Sequence, residues 1–600
     1  MGGLILNIKE RKEIPDKYKW RLDDIYKDNH DLEKDLSLLR SKWEELARLK
    51  DKLTLNSNNL LEGLVLRDDI LRLSEKIYSY ASMQLDQDTR VNESLALFDK
   101  ALTIYSQSLD ALAFFVPELL KENESDLRLL LNQDIRLNKY IHFFENIIRN
   151  KNHILSDKEE SIIAQYSEVL MAPENIYSIF NGSDLSFPSV KKDDIEIEIT
   201  QGNFIQLLEN DDRDFRQIVF NEFYKVFSKY KNTLASTLAG NIKKNTITAK
   251  IRKYNSAIEA SLSENSIEMV VYDNLLKSIH ENLDTLYKYI NIRKRAMQLD
   301  EIHMYDLYTP IVKDVYPSID YETGKNMVLE GLMPLGEDYI SIVEKAFNEG
   351  WIDVYENKGK RSGAYSGGSY DTKPYILLNY HDRLDDVFTI AHEMGHSMHS
   401  YYTRKNQPYI NGSYSIFVAE VASTVNEILL LLNLIEKSTS KEEKAYLINH
   451  YIESFRTTVF RQALFAEFEK KIYEYVENGN SITADFLSDT YKELNKLYYG
   501  NEIVIDDLIS VEWARIPHFY YNFYVYQYAT GFCAAVTLAT NIKNNVSGSL
   551  EKYLDFLRSG DSDYPINVLK KAGVDMTSPE PLYKALNIFK DLVMDFDELI

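Results

Sequence analysis

Thr389 to Ser400 reads TIAHEMGHSMHS, and no other stretch narrows so far what the chain can become. Residues four apart on an α-helix stand one turn above each other, so His392 and His396 can share a single metal ion only if this stretch is helical. Glu393 then lies about 100° round the same helix. The flanking Val387, Phe388, Ile390, Ala391, Met394 and Met398 predict a buried helix. Two imidazoles and a carboxylate buried without partners would be costly, and one metal ion satisfies all three. The competing reading is an exposed helix whose His and Glu side chains are solvated.

Two imidazoles leave a zinc ion room for one more protein ligand and a water. Zinc lowers the pKa of water from about 15.7 to roughly 7, and Glu393 is placed to take the proton as hydroxide attacks a carbonyl. There are two candidates for the third ligand. His399 is seven residues after His392 and shares its face. Glu420 lies in the next helical segment, flanked by Val418, Ala419, Val421 and Ala422, where a carboxylate is expensive to bury without a cation. Glu420 is preferred, because His2Glu is a well-attested catalytic zinc set; His399 then stands nearby without binding the ion. Glu427, seven residues beyond Glu420, faces the same way and could orient a ligand imidazole, or form a surface ion pair.

The remaining sequence excludes several other classes. With 93 acidic against 69 basic residues, the net charge of −24 repels phosphate backbones and anionic lipid, so nucleic acid and membrane surfaces are poor partners. Cys533 is the single cysteine, so no intramolecular disulfide forms and a thiolate zinc site is excluded. The N-terminus has no long apolar region with a cleavage site. Gly2 opens MGGLIL, but Leu6 stands where myristoylation needs a hydroxyl residue. No stretch reaches about 20 apolar residues, the run near Ile428 being interrupted by Asn433. A cytoplasmic protein is expected.

From Leu22 to about Leu170 the apolar spacing predicts helices over 31–52, 60–83, 92–115, 127–149 and 157–171, the first with a stripe of Leu32, Leu36, Leu39, Trp43, Leu46 and Leu49. Around Asn181 to Thr200 the texture changes: Ile195, Ile197 and Ile199 alternate with acids, which predicts a hairpin. This places a domain boundary near Gly202, dividing an N-terminal helical lobe (1–202) from a second domain (203–600). Helices follow over 213–249, 267–298 and 321–348. A glycine-rich loop from Gly363 to Gly368 precedes a strand at Pro374 to Tyr380 that leads into the HExxH helix. Such a strand either offers a peptide its main-chain edge or merely supports the helix. Near the end, Arg515 to Gly531 reads RIPHFYYNFYVYQYATG. Its tyrosines suit packing, yet His518 and the phenols could also donate to an oxyanion.

AHEMGHSMHS, FVAEVAST and IPHFYYNFYVYQYATG together resemble the oligoendopeptidase F branch of the thimet oligopeptidase family of zinc metallopeptidases. KYKWRLDDIY, GKRSGAYSGG and YLDFLRSGDSDYPINVLKKAGVDM extend the resemblance over nearly the whole chain. It implies a mainly α, two-lobed, zincin-type fold with a deep channel and a small β element beside the HExxH helix. It also implies one zinc ion per chain on His392, His396 and Glu420, with Glu393 as general base. His518 matches the group that binds substrate and stabilises the oxyanion, together with a tyrosine for which Tyr526 is favoured, then Tyr521. The activity implied is hydrolysis of internal bonds in short unfolded peptides. The alternatives are a zinc carboxypeptidase or dipeptidyl carboxypeptidase, and a non-catalytic helical zinc-binding protein. Three obvious ligands argue against the last, since structural zinc is usually closed by four.

Overall fold

The computed structural model describes residues 8–313, 315–316 and 318–600; the Gly2 to Leu6 stretch lies outside them. Helices dominate, and the seven strands among the described residues are at most four residues long. The starts of the helices follow local chemistry. Asp28 caps Asn29–Ala47 by accepting from the amides of His30 and Asp31, and Asp212 opens the 39-residue helix Arg213–Ile251 in the same way. Helices expected over 60–83 and 92–115 are Ser57–Asp86 and Asn92–Leu112.

Four of the longer expectations are divided. The 127–149 stretch forms Glu124–Asn132 and Ile141–Asn150, because the Asp134 side chain takes the Arg136 amide and turns the chain between them. The 157–171 stretch becomes Asp157–Gln165 and Ser167–Ile179. The 267–298 stretch breaks at Glu281 and Asn282 into Met269–His280 and Leu283–Ala296. The 321–348 stretch breaks between Tyr321–Gly331 and Glu337–Asn348, where Pro334 and a left-handed Gly336 (φ 89°) interrupt the periodicity.

Two compact units emerge. One comprises Met1–Lys151, Tyr316–Glu436 and Leu538–Gly573; the other comprises Asn152–Val315, Lys437–Thr537 and Val574–Ile600. Each is visited by the chain three times, so neither follows the division at Gly202 that local texture suggested.

In the first unit, Leu36, Leu39, Leu60, Leu64, Ile70 and Phe144 belong to one apolar core of the N-terminal helices. The unit also holds a three-stranded sheet. Numbered along the chain, the strands are β1 (Ser189–Lys192), β2 (Ile195–Glu198), β3 (Ile302–His303), β4 (Ile352–Asp353), β5 (Tyr365–Gly367), β6 (Tyr375–Leu377) and β7 (Ile503–Val504). The sheet has the order β4-β6-β5, with β4 parallel and β5 antiparallel to β6. The strand expected at Pro374 to Tyr380 is therefore the central and buried one, and β4 and β5 form the two edges of the sheet. Trp20, from the KYKWRLDDIY stretch, stacks edge-on against Tyr375 at 6.2 Å.

The HExxH motif lies in the helix Leu384–Asn406. Val387, Ile390, Ala391, Met394 and Met398 are fully buried, as their spacing predicts. Asp386 reaches back to accept from the amides of His381 and Arg383, and with Asp385 it places negative charge at the positive helix end. The next helix, Ile416–Lys437, departs from expectation: it is long and apolar enough to cross a membrane by length and composition (mean hydropathy 1.6). Its composition has a plainer origin. Of its most apolar window 61% is buried, with Val421, Val425, Leu429 and Leu430 in the core.

In the second unit, β1 and β2 form the expected hairpin, with Val190 opposite Ile197. Short β3 and β7 pair in parallel. Glu512 anchors the segment before His518. It accepts from Arg461 Nη2 (2.7 Å), Tyr224 (3.0 Å) and Tyr491 (2.6 Å); burial opposes its charge, but Arg461 and Arg515 hold its pKa at about 2. Glu469 is different. It is fully buried, Oε1 accepts from the Phe523 amide (2.8 Å), and Oε2 has no partner among the described residues. Burial pushes its pKa up to about 8.

Glu469 therefore folds protonated. With an unfolded value near 4.5, it favours the folded state below that pH, and the benefit is lost as pH rises toward about 8. Glu469→Gln, which keeps an acceptor for Phe523, is expected to be more stable than wild type at pH 8.5 by a few kcal/mol, of the order that such a shift implies, and nearly equal to it at pH 5. Urea unfolding at the two pH values measures this, and an equal difference at both would refute the assignment.

Candidate metal centre

The two imidazoles of HExxH project from one helical face. His392 Nε2 and His396 Nε2 are 3.2 Å apart, and Glu420 Oε2 lies 3.4 Å from each. Corners of a tetrahedron about an ion at ordinary zinc distances are separated by roughly 3.3–3.5 Å. Three donor atoms of the right types therefore already stand at the spacing that such an ion requires, and among the described residues they form the one such group of His, Cys and acids.

Two of the three side chains, His392 and Glu420, are held from behind. His392 Nδ1 is 2.5 Å from Glu427 Oε1. A carboxylate only accepts, so Nδ1 carries a proton and Nε2 is the nitrogen turned toward the trio. Burial opposes a charge on His392, but Glu427, with Glu393 and Glu420 nearby, raises its pKa to about 9. Glu420 receives the Ser423 hydroxyl (3.0 Å). Burial would raise its pKa, yet His396 and His392 hold it at about 2, so it remains a carboxylate. Glu393 is 7% exposed, and burial raises its pKa. It is the more basic carboxylate for that reason.

The two helices meet because Gly395 has no side chain. A Cβ there would sit 2.5 Å from Ser423 Cα and 2.6 Å from the Ala422 carbonyl oxygen. Beside this contact, the Asn426 amide donates to Ala391 O (3.1 Å) and accepts from the Tyr339 hydroxyl (3.0 Å). The crossing brings Glu420 and Glu427 to the two histidines.

His399 is not part of the trio. It is 1% exposed, stacked flat on Tyr414 at 3.7 Å and tilted against Phe556. Burial lowers its pKa to about 3, so the ring stays neutral in an aromatic slot.

The C-terminal tyrosines also sort themselves, within the second unit. His518 Nε2 lies 3.2 Å from the Tyr528 hydroxyl, and the rings of Tyr521 and Tyr524 stand 5.7 and 6.1 Å from that of His518. Tyr521 is 49% exposed. Tyr526, favoured from the sequence, is 3% exposed and packs against Tyr272 at 5.1 Å, so the phenol at His518 is that of Tyr528. The reason is local: Asn522 and Phe523 are both left-handed (φ 49° and 58°), and Tyr526–Lys543 begins only after this turn. Asn522 is of a residue type that adopts this conformation readily, whereas Phe523 gives no such signal in the sequence.

The model of peptidase family M3 matches residues 206–588, and that of oligopeptidase F matches 118–187. Oligopeptidase PepF of Bacillus subtilis is 46% identical over 99% of this chain and 89% of its own length. Group B oligopeptidase PepB of Streptococcus agalactiae is 42% identical over 98% of both. The crystal structure of oligoendopeptidase-F from Enterococcus faecium superposes with a TM-score of 0.74 at 36% identity, covering 94% of this chain and 98% of that one. A crystal structure from Chlamydophila abortus gives 0.92 at 36% identity, over 99% and 100%.

Two measurements test the geometry. Gly395→Ala forces a methyl group into the backbone of the neighbouring helix; overpacking of this kind costs about 1–3 kcal/mol, and metal content after dialysis should fall with it. Glu420→Ala should lose metal at a chelator concentration that leaves His399→Ala loaded. The reverse order would return the third position to His399.

Proposed function

The chain belongs to peptidase family M3, in its oligopeptidase F type, and on that premise we propose that it is a zinc metalloendopeptidase cutting short unfolded peptides at internal bonds. The observation that carries the reading is the convergence of His392, His396 and Glu420 on one point with Glu393 buried beside them. One zinc ion per chain would be held by those three, and it would supply Lewis acidity and a water of pKa near 7.

The protein's own groups then have separable tasks. Glu427 fixes the His392 tautomer and ring. Glu393, made basic by its burial, accepts the proton of the attacking water at its carboxylate and returns it to the leaving amine nitrogen. Edge strand β5 offers main-chain groups that hold an extended peptide whatever its side chains. His518 and Tyr528 form a hydrogen-bonded donor pair suited to the developing oxyanion, with Tyr521 and Tyr524 around it. A cytoplasmic location belongs to the same reading, in keeping with a single, buried cysteine.

Glu393→Gln should keep the metal and lose turnover by at least about a thousandfold, of the order expected when proton transfer is removed. Product masses from short peptides are the readout, with chelator and with chelator followed by zinc. Internal fragments that vanish with chelator and return with zinc are expected; stepwise loss from one terminus would indicate an exopeptidase instead.

A further inference from the structure

Arg404 lies on the HExxH helix eight residues beyond His396. Its Nη1 is buried and has no hydrogen-bond partner among the described residues. The carboxylates around it are already engaged. Asp371 holds Arg72 with both oxygens (3.0 and 2.5 Å), and Glu75 accepts from the Tyr409 hydroxyl (2.7 Å), while burial raises the Glu75 pKa. A guanidinium stays charged even so, and an uncompensated buried charge is costly.

Arg404 lines a cavity of about 560 Å³, with Arg67 and Ser369 among its other walls. Arg67 pairs with Asp68 (3.0 Å). Ser369 is 5% exposed, and its hydroxyl too lacks a partner among the described residues. Gly368 adjoins them: it is left-handed (φ 110°), and a Cβ there would lie 2.6 Å from Lys373 O, 2.7 Å from Thr372 Oγ1 and 3.7 Å from Arg404 Nη1. A charged donor and a neutral donor thus share one cavity, and an oxyanion would satisfy both.

The cavity also stands in register with the metal centre. Gly368 and Ser369 directly continue β5, and β5 rests on the HExxH helix through the Ser366 and Ser397 hydroxyls (2.8 Å). Eight helical residues from His396 to Arg404 rise about 12 Å, which an extended peptide spans with three or four residues. We infer that this cavity is a subsite for a carboxylate of the peptide, either its C-terminus or an acidic side chain, held by Arg404 and Ser369 some three or four residues from the bond that is cut. The inference rests on the peptidase reading above.

The test uses one short peptide in three forms: the free acid, its C-terminal amide, and the free acid with a single glutamate replaced by glutamine. Cleavage is measured with zinc-loaded wild type, and binding by calorimetry with zinc-loaded Glu393→Gln. Removing the recognised carboxylate should lower kcat/KM about tenfold or more, mainly through KM, as expected for a lost charged hydrogen bond. Loss in the amide identifies the terminus, and loss in the glutamine form identifies the side chain. Arg404→Lys should keep part of the preference and Arg404→Met none. Equal kcat/KM for all three peptides with wild type overturns the subsite without involving any variant, as does a preference that survives in Arg404→Met. If wild type cleaves no form, the peptidase reading falls. Discrimination in binding by Glu393→Gln would then still uphold the subsite, and equal binding would remove it.

Discussion

The metal centre depends on a backbone contact. Gly395 lets the HExxH helix touch the Ile416–Lys437 helix at Ser423, with no room for even a methyl group between them. Every polar feature of the site is a consequence of that approach. Glu420 reaches two histidines, Glu427 reaches the far nitrogen of one of them, and Asn426 ties the helices together through Ala391 and Tyr339. Ligand spacing within a few tenths of an ångström cannot be set by flexible side chains alone. It is set by rigid elements locked at a fixed crossing.

The apolar character of the second helix belongs to the same design. A helix that could pass for a membrane span by composition here buries its sides in the core and keeps Glu420 and Glu427 facing the histidines.

What the sequence disclosed follows from the range of the forces involved. The burial of Val387, Ile390 and Met394, the face shared by His392 and His396, and the Ser189 to Glu198 hairpin are all local periodicities and were legible. The placing of Glu427 seven residues after Glu420 was legible for the same reason. Helix breaks at Asp134 and Gly336 were missed because apolar spacing continues across them while a side-chain cap or a left-handed residue ends the helix. The strand at Tyr375 could be read, but not its central place in the sheet, because its neighbours are set by chain returns far away in sequence. The pairing of His518 with Tyr528 was not legible, because it depends on a turn in which Asn522 and Phe523 are both left-handed: Asn adopts that conformation readily, but Phe does not advertise it, and the Phe523 amide is held by the buried Glu469.

The far end of the HExxH helix is held by chain made much later. Thr403 donates to Leu557 O, 154 residues downstream, Gln407 to Arg558 O, and the Asp561 amide returns a bond to Asn411. A ribosome delivers the HExxH helix long before these clasps. The emerging polypeptide therefore carries its hydrolytic motif through a further 154 residues before the first of these braces is made.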